Sequence, residues 1–253
     1  MAQERPLPSV VARMWGREPV TRRGPRPRLN LATITAAAIE IADAEGLAGV
    51  SMASVASRVG VAATALYRYV ESKEDLLTAM ADAAAPLPPE PGGMTWREYL
   101  AVWTRAQRDI LLDHPWLLSA AAPVPPMGPR RLLWLDRALA ALDGTGLDDG
   151  EKINVASALT GYALTDAALR HAVGDPRMEE SGIKGAADYG EVLAEVLDPE
   201  AYPALSAAMR SGAMRGAEGW VDDGDFVFGL DLLLDGVEAL IRRRVLEGHV
   251  GGE

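Results

Sequence analysis

The chain contains no cysteine, which removes disulfides, thiolate metal sites and cysteine nucleophiles from consideration. Histidine is nearly as scarce. His114, His171 and His249 are the only three, too few for a histidine-built metal centre. No run of about eighteen apolar residues occurs, so no membrane-spanning helix is expected. Pro6, Pro8, Arg13 and Arg17 interrupt the N-terminus too early for a secretory leader. The expectation is a soluble, cytoplasmic protein without a membrane partner. Also missing are a glycine-rich phosphate loop, an HExxH pair and a serine in a nucleophile-elbow context. The paired acids Glu179-Glu180 and Asp222-Asp223 stand in loop-like stretches and read as solvated turns. Nothing here supports an enzyme, and no cofactor or metal is expected.

What is present is enough apolar material for a real core: 253 residues, 49% of them hydrophobic. That length allows one large domain or two small ones. The net charge of −11 argues against indiscriminate nucleic-acid binding by the whole molecule, but the charge is uneven. Residues 1–28 hold seven arginines against Glu4 and Glu18, and end in Thr21-Arg-Arg-Gly-Pro-Arg-Pro-Arg28. A basic segment beside an acidic body fits a DNA binder with a second, non-DNA domain, and fits a solubilising tail equally well.

Breakers divide the chain further. Prolines predict an extended, flexible basic arm over 1–28. Residues 29–85 read as a compact helical unit. Pro86-Leu-Pro-Pro-Glu-Pro-Gly-Gly93 lies in a linker, 86–94. Residues 95–253 read as a larger helical domain, with helices expected from about Thr95 to Asp113 and over 130–142, 150–172, 185–197, 200–211 and 225–247. Strand-like alternation with turn signals is absent, so the fold class is all-α.

The unit 29–85 carries the most specific local grammar. Asn30 suits an N-cap and Gly46 a stop, with Ile34, Ala38, Ile41 and Ala42 on one face between them. Ser51 can cap a short second helix with Val55, Ala56 and Val59 inward. Gly60 sits where the chain must turn sharply. A third short helix follows near Ala63 to Tyr69, and Ser72-Lys-Glu-Asp75 resembles a capping box opening a fourth. By spacing alone this is either a helix-turn-helix, whose second helix enters the major groove, or an ordinary helical hairpin.

The run Ser51-Met-Ala-Ser-Val-Ala-Ser-Arg-Val-Gly-Val-Ala-Ala-Thr-Ala-Leu-Tyr-Arg-Tyr-Val-Glu-Ser-Lys-Glu-Asp-Leu-Leu77 closely resembles the signature of the TetR family. Its most specific part is Leu66-Tyr-Arg-Tyr69 followed by Ser72-Lys73. The C-terminal part resembles the subgroup typified by the tetracycline repressor, through His114-Pro-Trp-Leu117, Gly144-Thr-Gly-Leu147 and Phe228-Gly-Leu-Asp-Leu-Leu-Leu-Asp-Gly-Val-Glu-Ala-Leu240. The resemblance implies a repressor that binds a palindromic operator as a homodimer and is released by a small-molecule inducer. An activator, a dual regulator or a ligand-independent DNA-binding protein of the same fold is the alternative.

The resemblance also implies residue roles. Thr64, Ala65, Tyr67, Arg68 and Tyr69 fall on the recognition helix, with Arg68 the candidate to read guanine by two hydrogen bonds. The alternative for Arg68 is a phosphate contact, and for Tyr67 packing. Lys73 matches a phosphate contact, and Ser51 lies at the start of the preceding helix. Ala53 stands where the tetracycline repressor has arginine, which speaks against a shared operator. Arg22, Arg23, Arg26 and Arg28 are candidates to follow the backbone or a minor groove, or to stay clear of DNA.

The C-terminal domain is implied to sense ligand and to dimerise. Trp103, Trp116, Leu117, Met127, Trp134, Leu159, Tyr162 and Leu169 are candidate walls for a largely apolar inducer, and equally good core residues. Asp166 either accepts from a ligand or pairs with Arg170 four residues on. The last helix is apolar around most of its circumference, so it is expected to be buried on two sides. Phe226, Leu230, Leu233, Val237, Leu240 and Ile241 are the dimerisation candidates, against the alternative of a wholly internal helix. No histidine here matches the tetracycline repressor's magnesium-linked one, so that site is not carried over.

Overall fold

A computed structural model describes residues 7–17, 29–120, 125–173, 186–211 and 223–250. Every regular element among them is a helix: α1 (Ser9–Met14), α2 (Leu31–Gly49), α3 (Met52–Val59), α4 (Ala63–Leu66), α5 (Lys73–Ala83), α6 (Trp96–Asp113), α7 (Trp116–Ala120), α8 (Pro129–Ala141), α9 (Asp149–Val173), α10 (Ala186–Val196), α11 (Pro203–Arg210) and α12 (Asp223–Val250). Packing divides the chain into two compact units, Met1–Tyr99 with Asp109–Leu142 and Leu100–Arg108 with Asp143–Glu253. This division differs from a break at the proline-rich stretch 86–94, because α7 and α8 pack with the N-terminal helices.

In the first unit the expected start and stop signals operate. The Asn30 side chain accepts from Thr33 N–H, and the Thr33 hydroxyl accepts from Asn30 N–H. Regular α2 geometry ends at Gly46, whose φ is 68°. Ser51 and Ser54 form the same reciprocal cap for α3. Gly60 closes α3 at φ 72°. Its N–H bonds Ser57 O and the Val61 N–H bonds Ala56 O at 3.0 Å. That pairing is a Schellman turn, and it needs a residue free of the left-handed steric penalty. Ser72 accepts from Asp75 N–H as expected, but the Asp75 carboxylate reaches Glu71 N–H, so the cap is only half reciprocal.

Ile34, Ala38, Ile41, Val50, Val55, Leu66, Val70, Leu76 and Met80 form the core of this unit. Each large side chain among them contributes about 1.5–3 kcal/mol by leaving water. Trp116 and Leu117 of α7 belong to the same core. Residues 9–14 correct the expectation of an extended arm. They form α1, because Val10 and Val11 find an apolar seat beside Ala79.

In the second unit the buried positions are Leu100 and Trp103 of α6, Val155, Ala156, Leu159, Ala163 and Ala167 of α9, Met209 of α11, and Phe226, Leu230 and Leu234 of α12. The α9 positions recur every three or four residues, which lays one stripe along the helix.

Candidate nucleic-acid interface and ligand domain

The helix-turn-helix presents a short outward-facing segment. Leu66 and Val70 are fully buried and pin it to the core. Thr64, Tyr67 and Arg68 are therefore turned to solvent, Tyr67 with 52% of its surface exposed. Arg68 has no hydrogen-bond or ion-pair partner among the described residues. An exposed guanidinium with no partner among the described residues, next to an exposed phenol, is suited to polar base edges and phosphates. Ala65 is half-buried beside them.

The other candidates are placed differently. Tyr69 is half-buried, its hydroxyl donates to Leu29 O at 2.8 Å, and the Arg13 guanidinium lies 5.5 Å from its ring centroid. Its hydroxyl is thus used inside the fold, so Tyr69 serves packing here rather than the exposed surface of the recognition segment. The Ser51 side chain is spent on the α3 cap. Lys73 is exposed, its ammonium 3.3 Å from Leu47 O. Arg58 pairs with Glu40 at 3.0 Å. Arg22, Arg23, Arg26 and Arg28 lie outside the described residues.

The nine ligand-wall candidates do not share one unit. Trp116, Leu117, Trp134 and Met127 belong to the first. Trp116 and Leu117 pack into the helix-turn-helix core, and Trp116 Nε1 donates to Asp43 at 2.7 Å. His114 Nδ1 meets the same Asp43 oxygen at 2.7 Å. Trp134 is buried with Nε1 donating to Pro86 O. Met127 is exposed. Trp116, Leu117 and Trp134 spend their surfaces on packing within the first unit rather than on an open cavity, and Met127 faces solvent.

Trp103, Leu159, Tyr162, Asp166 and Leu169 lie in the second unit. Trp103 and Leu159 are buried, whereas Leu169 is 48% exposed and faces solvent. Tyr162 stacks on Phe226 with centroids 5.2 Å apart and donates to Phe226 O at 2.9 Å. Burial raises its phenol above the usual value, with Asp166 adding to the shift. Asp166 pairs with Arg170 at 2.8 Å, both largely buried. Arg108, buried among these groups, lies 4.2 Å from the Phe226 centroid and bonds Asp223 at 2.9 Å. That hydrogen bond and charge hold the Asp223 carboxyl below its ordinary value.

The last helix has two apolar faces. Phe226, Leu230 and Leu234 point into the second unit, while Leu233, Val237, Leu240 and Ile241 are half-buried. Phe228 and Leu232, one turn apart, form an exposed apolar pair at 73% and 64% exposure, and Leu246 near the end of the helix is 67% exposed. Phe226 and Leu230 are thus corrected from dimer contacts to core, since a shift of two residues turns a helix by about 200°.

Two family models match: the bacterial regulatory proteins of the tetR family over residues 34–80, and the tetracyclin repressor-like C-terminal domain over 87–241. The chain belongs to the TetR family. It is a transcriptional regulator with a tetracycline-repressor-like C-terminal domain. It is similar to the HTH-type transcriptional repressor DrrR1 of Streptomyces coeruleorubidus, 32% identical over 91% of this chain and 85% of the relative. Its fold is like that of apo ActR of Streptomyces coelicolor, with TM-score 0.70, 24% identity and 88% and 99% of the two chains covered. ActR in complex with actinorhodin is similar at TM-score 0.68 and 23% identity, covering 84% and 98%. No described helix is long and apolar enough to cross a membrane.

Asp43 was not singled out from sequence. On α2 it is one acid among several, and nothing local marks His114 and Trp116 as its partners.

Proposed function

We propose that this TetR-family regulator is a cytoplasmic repressor that binds a palindromic operator as a homodimer and leaves it when a small molecule occupies the C-terminal domain. The observation that carries the DNA reading is Arg68, exposed and unpaired among the described residues, on the segment that Leu66 and Val70 fix outward. Thr64 and Tyr67 share that surface, and Lys73 supplies a phosphate contact beside it. One such segment buries too little for tight, specific binding. Two of them, about 34 Å apart across a two-fold axis, match half-sites one helical turn apart.

The exposed pair Phe228 and Leu232 supports the dimer, because two large apolar side chains side by side are costly to leave in water. For the inducer, the complex of ActR with actinorhodin supports a small molecule, and the buried apolar side chains of the second unit support a largely apolar one. Release requires that the ligand favour a conformation whose two recognition segments no longer fit both half-sites.

Selecting duplexes from a random pool tests the DNA reading. A palindromic consensus is expected, and retention of all sequences alike would overturn it. Sedimentation should give the dimer mass, and a monomer at working concentration would contradict the two-fold model. A thermal-shift screen of apolar small molecules should find a binder that also releases the selected duplex. Tight binders that all leave operator affinity unchanged would refute induction.

A further inference from the structure

α1 spans only six residues, and a helix that short does not persist alone in water. Its contacts therefore hold it in place. Val10 and Val11 are buried against Ala79 of α5. Trp15 Nε1 donates to Met127 O at 2.8 Å, two residues before α8 begins. Arg13 lies over Tyr69, the neighbour of Arg68. α1 thus touches α5, the segment entering α8, and the end of the recognition segment.

The first two of these elements are already fastened to each other. The Asp82 carboxylate of α5 accepts from Arg131 N–H at 2.9 Å and Arg130 N–H at 3.4 Å, capping α8. Arg130 returns a guanidinium hydrogen bond to Ala85 O at 3.1 Å, at the end of α5. Gly128 is needed for this approach, since a Cβ there would fall 2.1 Å from Asp82 Cγ. Beside the C-terminal end of α1 lies an open groove of about 420 Å³, bordered by Met14 of α1, Leu31 and Thr35 of α2, Ala79 of α5 and Arg130 of α8. Two buried valines, one tryptophan hydrogen bond and one cation–π contact hold this six-residue helix, few enough interactions for its docking to be reversed.

We propose that α1 is a strap whose docking raises operator affinity, by fixing α5 and Tyr69 and so pre-ordering the segment that carries Arg68. The proposal rests on the DNA-binding reading above. Docked, the strap lowers the ordering cost that DNA would otherwise meet. Reciprocity then requires that operator DNA tighten the strap by the same factor.

The absence of cysteine makes the test clean, since Val11→Cys carries the sole thiol of the chain. With the full-length protein, its reaction with a chromogenic disulfide should slow on adding the selected operator and not on adding a scrambled duplex. Equal rates with both duplexes overturn the proposal. Trp15→Phe, which removes only the bond to Met127, and Val11→Asp, which undocks the strap, should each weaken operator binding about two- to thirtyfold. A purely structural helix would lower the melting temperature of these variants and leave the dissociation constant of the folded protein unchanged. A wild type that retains no duplex overturns the DNA-binding reading and the strap with it. A wild type that binds while both variants match it overturns the strap alone.

Discussion

Arg68 and Leu66 are two residues apart and should fail in opposite ways. Arg68 is exposed and has no partner among the described residues. Arg68→Ala should therefore change folding stability by no more than about 0.5 kcal/mol, as for surface changes generally. On DNA the loss of one bidentate base contact costs about 1–3 kcal/mol per half-site. A dimer loses it twice, roughly 2–6 kcal/mol in all, or from roughly 30-fold to roughly 10⁴-fold in affinity. Specificity should relax at one symmetric position and stay intact elsewhere. Leu66 is fully buried in the core, and Leu66→Ala should cost about 2–5 kcal/mol of stability. Paired thermal melts and gel shifts on the selected operator separate the two effects. Normal operator binding by Arg68→Ala would refute the base-reading role. A melting temperature lowered as far as that of Leu66→Ala would refute the claim that Arg68 serves nothing inside the fold.

Gly60→Ala places a side chain at φ 72° and should cost about 1–2 kcal/mol, read by calorimetry; an unchanged melt would show that the turn tolerates a Cβ. Lys73→Ala should weaken all duplexes alike and reduce the salt slope of binding by about two, one for each half-site; a sequence-dependent loss would contradict a phosphate role. Asp223 has a folded-state carboxyl held below its ordinary 3.8 by Arg108. Its contribution is present above that value and is lost as pH falls through the lowered one. Between about pH 5 and about pH 3 the wild type should therefore lose more melting temperature than Asp223→Asn, and parallel curves would discount the pair. Phe228→Ser with Leu232→Ser should shift sedimentation from dimer to monomer without unfolding the chain; an intact dimer would place the interface elsewhere.

Local signals were legible, and distant partnerships were not. Asn30, Ser51, Gly60 and Ser72 act within four residues of themselves, so their types suffice to place α2, α3 and α5. The Leu66–Val70 pair fixes which side of the recognition segment faces out, and Arg68 follows from that. By contrast, α1 sits in a proline- and arginine-rich stretch whose composition favours an extended chain. Its distant contacts with Ala79, Met127 and Tyr69 hold it as a helix. The aromatic and methionine candidates for the inducer show the same limit, because a tryptophan that lines a cavity and one that fills a core look alike until the neighbours are known. α12 was legible as apolar all round, but not in phase. The two-residue offset between Phe226 and Phe228 decides which row faces in.

The His114-Pro-Trp-Leu117 run has a consequence for coupling in the regulator. It falls within the stretch matched by the C-terminal family model, 87–241, yet its side chains are built into the DNA-binding unit. Asp43 of α2 holds both His114 and Trp116 through one oxygen, and Trp116 and Leu117 are about 95% buried in that core. Pulling α7 away would strip a tryptophan from its packing and leave a carboxylate short of two donors. Losing the tryptophan's packing alone costs about 3–5 kcal/mol, more than the 1–3 kcal/mol typical of an allosteric coupling. A ligand-driven shift that detached α7 from α2 would have to meet that cost in addition to the coupling it delivers, so the two are expected to move as one body. The mechanical boundary of the DNA-binding unit therefore lies beyond the family-model boundary, and any displacement that reaches α7 is already a displacement of α2, on which the helix-turn-helix packs.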